Sequence, residues 1–157
     1  MIIINGETVK ILLALLIFFT FSLYKDIKFS YNLKMIWEFI YLGIACGILI
    51  NLFNLDFNFT AKNLNFETLL TNFLSSSSEE IIFRGLILKF FLRIWRFEFS
   101  VFISSIFFAA IHPNISLFNY LAVFLCSLVI SWVYKKNGLI AAIFTHTIGN
   151  IMANLFV

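Results

Sequence analysis

Apolar residues in this chain come in long unbroken runs, without the polar face that a soluble helix turns to water. The run at 11–24 reads ILLALLIFFTFSLY, and others cover 36–53, 69–92, 99–112, 116–134 and 138–157. Between them lie segments carrying Lys, Arg, Asp or Asn and the single proline, Pro113. Within 120–134, YLAVFLCSLVISWVY has no face a soluble amphipathic helix would expose. A spanning helix takes about 20 residues, so the pattern predicts an all-α, polytopic membrane helix bundle of about six transmembrane helices. The lipid bilayer is then its solvent, and the cell membrane the expected location of a multi-pass integral protein. The first run is the shortest. Its length at about 1.5 Å per residue falls short of a hydrocarbon core of about 30 Å. Lys25, Asp26 and Lys28 follow it where a cleaved signal would carry small residues, so it reads as an uncleaved first helix. One membrane domain, 1–157, is expected, with two N-terminal spans in 1–68 and the core that bears the polar groups in 69–157.

The charges test that division independently, because connections on the cytoplasmic side are enriched in Lys and Arg. Lys25, Lys28 and Lys34 follow the first span; Lys89, Arg93 and Arg96 follow the third; Lys135 and Lys136 follow the fifth. The intervening connections hold only Lys62 at 54–68 and no Lys or Arg at His112-Pro113-Asn114. Both termini then lie outside. Composition agrees: 62% of residues are hydrophobic and 12% charged, against roughly 45–50% and about 25% in a soluble domain. The +3 balance is scattered, with no basic run to follow a phosphate backbone, so nucleic acid is not an expected partner. Cys46 and Cys126 sit in apolar runs and read as reduced packing residues.

Against this background the polar groups inside the runs stand out, since an ionisable residue within a span costs several kcal/mol and is a functional candidate by default. In SSSSEEIIFRG, Glu79, Glu80 and Arg84 lie between apolar flanks. Glu80 and Arg84 are spaced i, i+4 with the acid first, the favourable order for an ion pair. Glu79 points about 100° away and is free to face something else. A helix start capped by Ser75–Ser78 would account for the acids but not for an arginine one turn deeper. The chain's two histidines also sit in apolar surroundings. His146 and Asn150 share a helix face at i, i+4. His112 precedes Pro113, whose ring disfavours helical geometry for its neighbour, and is expected at the end of the fourth span.

A single polar centre built from these residues supports two chemistries. A carboxylate beside a histidine can hold and deprotonate a water while an Asn amide and a second imidazole stabilise an oxyanion. Alternatively Glu79, His112 and His146 make the two-His, one-carboxylate set of many catalytic zinc sites. HExxH, GxSxG, P-loop and GxGxxG motifs are absent. A non-catalytic scaffold or immunity protein would keep such residues for binding. A proton-linked carrier would show an internal repeat, and none is found.

Three motifs in order carry a resemblance: Glu79-Glu80-Ile81-Ile82-Phe83-Arg84 as EExxxR, Phe108 to His112 as FxxxH, and His146 to Asn150 as HxxxN. Together, in an apolar chain, they resemble the CPBP family of intramembrane proteases, which includes the CAAX prenyl endopeptidases and the Abi proteins. The resemblance implies an endopeptidase acting on a membrane-associated peptide or protein substrate. By that likeness Glu79 and His112 activate the water, His146 and Asn150 form the oxyanion pocket, and Glu80 with Arg84 support the site. The family was first described as metalloproteases and later as glutamate-dependent, and the reading favoured here is the latter. The chain departs from the family in size, holding little beyond the core.

Reporter fusions after Lys34, Asn58, Arg96, Asn114 and Lys136 are expected to alternate inside, outside, inside, outside, inside. Two adjacent fusions reporting one side would break the six-helix arrangement.

Overall fold

The computed structural model describes residues 36–53, 65–112 and 116–155. The expected first span at 11–24 lies outside them, as does most of the connection at 54–68. Every regular element among the described residues is helical: α1 (Ile36–Leu52), α2 (Phe66–Glu80), a π-helical stretch (Ile81–Ile87), α3 (Leu88–Leu92), α4 (Phe97–Ala110), α5 (Leu117–Asn137) and α6 (Leu139–Leu155). Because α2, the π stretch and α3 run on without a break, these make five rods, one for each expected run from 36–53 onward.

Local chemistry sets the ends of the rods. Asn65 caps α2 by accepting from the Thr68 N–H at 2.8 Å, and Ser116 caps α5 by accepting from the Asn119 N–H at 3.1 Å. Helix α5 runs one turn past the expected boundary at 134. Lys135 and Lys136 belong to its last turn, where cations meet the negative end of the helix dipole. Gly138 then breaks the chain with φ 86°, a left-handed conformation that costs glycine little. Helix α4 stops at Ala110, so His112 lies just beyond it, as the following proline predicts. Length and hydropathy together suffice for a bilayer crossing in α5; α1, α4 and α6 are apolar but shorter, at 17, 14 and 17 residues.

The rods alternate in direction. At one end Lys136 pairs with Glu38 at the start of α1 (2.9 Å), and Lys135 Nζ lies 3.9 Å above the ring of Phe97 at the start of α4. At the opposite end Phe53 meets Phe118, the Asn51 amide donates to the Met152 carbonyl, and Asn154 bonds Asn72. The two basic connections among the described residues thus lie at one end; the third, with Lys25, Lys28 and Lys34, lies outside them. Helices α1 and α6 run parallel and make the most extensive contact of the bundle. Their seam depends on Gly43 and Gly47, a small-xxx-small spacing that lets backbones approach. A Cβ on Gly43 would stand 2.7 Å from the Thr145 carbonyl oxygen, and one on Gly47 2.7 Å from that of Gly149.

Burial is inverted relative to a soluble protein. Arg84, Glu80 and a set of serines are among the most completely enclosed side chains, while Phe66 is 79% and Trp37 67% exposed on the periphery. In water these peripheral groups would forfeit the burial of large apolar surface, a cost that lipid tails would remove.

Gly43→Val and Gly47→Val are each expected to lower stability by about 1–3 kcal/mol through overpacking, measured by unfolding in detergent. Gly85→Ala, whose added carbon meets only Ile81 Cγ2 at 4.0 Å, is expected to be nearly neutral.

Candidate active site

The site forms where the middle of the long rod faces the end of α4 and one face of α6. Glu79 and Glu80 close α2, about 14 residues beyond its cap, so neither sits at a helix start and the capping reading of Ser75–Ser78 does not hold. Those serines instead satisfy the helix and the site. Ser77 Oγ donates to the Phe73 carbonyl and Ser78 Oγ to that of Ser75, while Ser75 Oγ donates to Glu79 Oε1 at 3.1 Å. Past Glu80 the helix widens, and the Leu88 N–H bonds the Phe83 carbonyl five residues back. The wider turn adds a residue on the face that carries Arg84. Such π segments recur at functional sites.

Glu80 is the hub. Its Oε1 accepts from Arg84 Nη1 at 3.0 Å and from His146 Nδ1 at 2.8 Å. Both Glu80 and Arg84 are fully enclosed. Arg84 Nη2 continues to the Ser127 carbonyl (3.0 Å) and hydroxyl (2.9 Å) on α5, and Ser127 donates to Ser105 on α4. Phe108 packs flat against the guanidinium, 4.7 Å from its ring centroid, and its edge meets Phe83 and His146. The ion pair expected from the sequence is present, and Glu80 orients the histidine of another helix besides.

Glu79 is rotated about 100° from Glu80 around the helix and meets the other nitrogen of the same imidazole. Its Oε2 stands 3.9 Å from His112 Nε2 and 3.8 Å from His146 Nε2, and is buried without a hydrogen-bond partner among the described residues. His112 Nδ1 is held by the Phe108 carbonyl at 2.8 Å. With that carbonyl as acceptor, Nδ1 carries a proton, and Nε2 is left turned toward Glu79. Asn150 lies one turn beyond His146, and its amide donates to Ser76 Oγ at 3.1 Å. His112, His146 and Asn150 line one wall of a cavity of about 240 Å³ between α1, α4, α5 and α6. All six residues singled out in the sequence are therefore gathered. Ser75, Ser76 and Ser127 were not anticipated. A run of four serines gives no spacing that selects one, and Ser127 becomes a partner only through the register of α5 on the rod.

Glu79, His112 and His146 are the donors considered for zinc. Their facing atoms are farther apart than the roughly 3.3–3.4 Å edge of a tetrahedron with ligands at about 2.0–2.1 Å, and no three such groups among the described residues assemble as a metal site. As arranged, the donors are not closed on an ion.

The family model described as Type II CAAX prenyl endopeptidase Rce1-like matches residues 61–152, more than half of the chain. The match spans all six candidate residues. No curated protein and no solved structure matches the chain.

Arg84→Ala is expected to destabilise the protein by about 3–5 kcal/mol, because it strands Glu80 in the interior. Ser127→Ala, which removes one of two acceptors of Nη2, is expected to cost only about 1–2 kcal/mol. Unfolding midpoints in detergent check both. Equal losses would mean that Arg84 is held by packing and not by its charge partners.

Proposed function

The chain belongs to the Rce1-like family of type II CAAX prenyl endopeptidases, and from this we propose that it is an intramembrane endopeptidase that hydrolyses a peptide bond of a membrane-associated substrate with a water activated by glutamate and histidine. The observation that carries the reading is the convergence of two imidazole Nε2 atoms on the unpartnered Glu79 Oε2. The polar interior and apolar periphery support a multi-pass arrangement in the bilayer.

In the proposed reaction Glu79 accepts a proton from water as the water oxygen attacks the scissile carbonyl carbon. His112, whose Nε2 faces Glu79 at 3.9 Å, steadies the same water. The C–O bond forms and the carbonyl π pair moves onto oxygen, where His146 and Asn150 donate to it. The C–N bond then breaks, and the proton held by Glu79 passes to the departing amine. Water is consumed, and a carboxylate and an amine are released.

This role fixes the charge state of His146. Its Nδ1–H is committed to Glu80, so donation from Nε2 requires the imidazolium. Arg84 and His146 then carry two positive charges against the two carboxylates of Glu79 and Glu80. The buried cluster is neutral overall, the condition under which such groups are tolerated away from water.

The test is a screen of membrane-tethered peptides, prenylated and not, with purified protein. Glu79→Gln is expected to abolish cleavage without loss of fold, since it removes a charge and little volume. Asn150→Ala is expected to reduce the rate by about 10²–10³. Cleavage should resist chelators. Stoichiometric zinc with chelator-sensitive cleavage would transfer water activation to an ion held by Glu79, His112 and His146. A fully active Glu79→Gln would overturn the assignment.

A further inference from the structure

Besides the histidines, the cavity is lined by one face of α5, on which Asn119, Val123, Cys126 and Ile130 recur at helical spacing. Three of these are apolar or weakly polar. Asn119 is not, and it stands at the end where α5 begins and α4 stops, level with His112. Its backbone N–H is taken by the Ser116 cap. Its side-chain Oδ1 is buried with no hydrogen-bond partner among the described residues. An enclosed amide oxygen without a donor is uncommon and calls for a reason. Here it borders the space the substrate must occupy.

A peptide in extended form presents N–H and C=O groups alternately to its two sides. With the scissile carbonyl turned toward Asn150 and His146, the neighbouring residues turn their N–H groups to the opposite wall. In an apolar cavity such an N–H needs an acceptor, and Asn119 Oδ1 is an unpartnered acceptor on a residue that lines it. We propose that Asn119 is a substrate-binding residue that accepts a hydrogen bond from a backbone amide flanking the scissile bond, fixing the strand so that its carbonyl faces the histidines. This rests on the protease reading above.

The experiment uses an anchored peptide cleaved in the screen, resynthesised as a series in which each amide other than the scissile one is replaced by an ester, removing a single N–H. Wild type is expected to lose about tenfold in kcat/KM at one flanking position. Asn119→Ala should show that same loss on the parent peptide, mostly in KM, and no further loss on that ester. Asn119→Gln, whose acceptor is displaced by one methylene, should behave similarly, and serves if the alanine variant does not fold. Equal cleavage of all esters by wild type, or the same ester dependence in the variants, would overturn the role of Asn119 and leave the protease reading intact. No cleavage of any peptide by wild type would overturn both.

Discussion

The Arg84–Glu80–His146 chain is the interaction on which the remaining structure depends. It joins the long rod to α6 through one carboxylate oxygen and to α5 through the guanidinium. Each member would be untenable alone in an apolar interior; together they partner Glu80 Oε1, both terminal nitrogens of Arg84 and His146 Nδ1, while Glu80 Oε2 and Arg84 Nε stay buried without a hydrogen-bond partner among the described residues. The ring of His146 is held at Nδ1, so the other nitrogen has one direction in which to point, and that direction is Glu79. The approach of His146 to Glu79 is a by-product of partnering a buried arginine.

Two adjacent glutamates thereby acquire different tasks. Each keeps one buried oxygen without a hydrogen-bond partner among the described residues, but Glu80 Oε1 is bonded to Arg84 and His146, whereas Glu79 Oε2 stands where two imidazoles meet. The division follows from the turn angle of a helix. The π stretch adds to it by widening the backbone where Arg84 must reach both back to Glu80 and across to Ser127. The glycine seam between α1 and α6 has a complementary role, since it holds the helix that carries His146 and Asn150 from behind.

Much of this was legible in the sequence because the relevant rules are local. The i, i+4 spacing gave the Glu80–Arg84 pair and the shared face of His146 and Asn150, and Pro113 placed His112 past a helix end. What was not legible depended on register between helices. Nothing local says that Ser127, of five buried serines on α4 and α5, would receive Arg84, or that Ser75 and Ser76 would bond Glu79 and Asn150. The π stretch was also invisible, since IIFRGLI carries no breaker except Gly85, which an ordinary helix accommodates. The boundary of α5 was misjudged because lysines were read as a connection, although a helix C-terminus welcomes them.

The intrahelical pairing of Glu80 with Arg84 has a consequence for how the protein is made. A segment entering the bilayer during synthesis meets lipid before its later neighbours exist. Glu80 and Arg84 leave the ribosome four residues apart and can neutralise one another at once, whereas Ser127 and His146 follow 43 and 66 residues behind their partners. The rod can therefore insert carrying its charges as a dipole, and the arrival of α6 converts that dipole into a support for an imidazole. Until then no histidine stands beside Glu80, so the polar centre stays incomplete while the later helices are still being made.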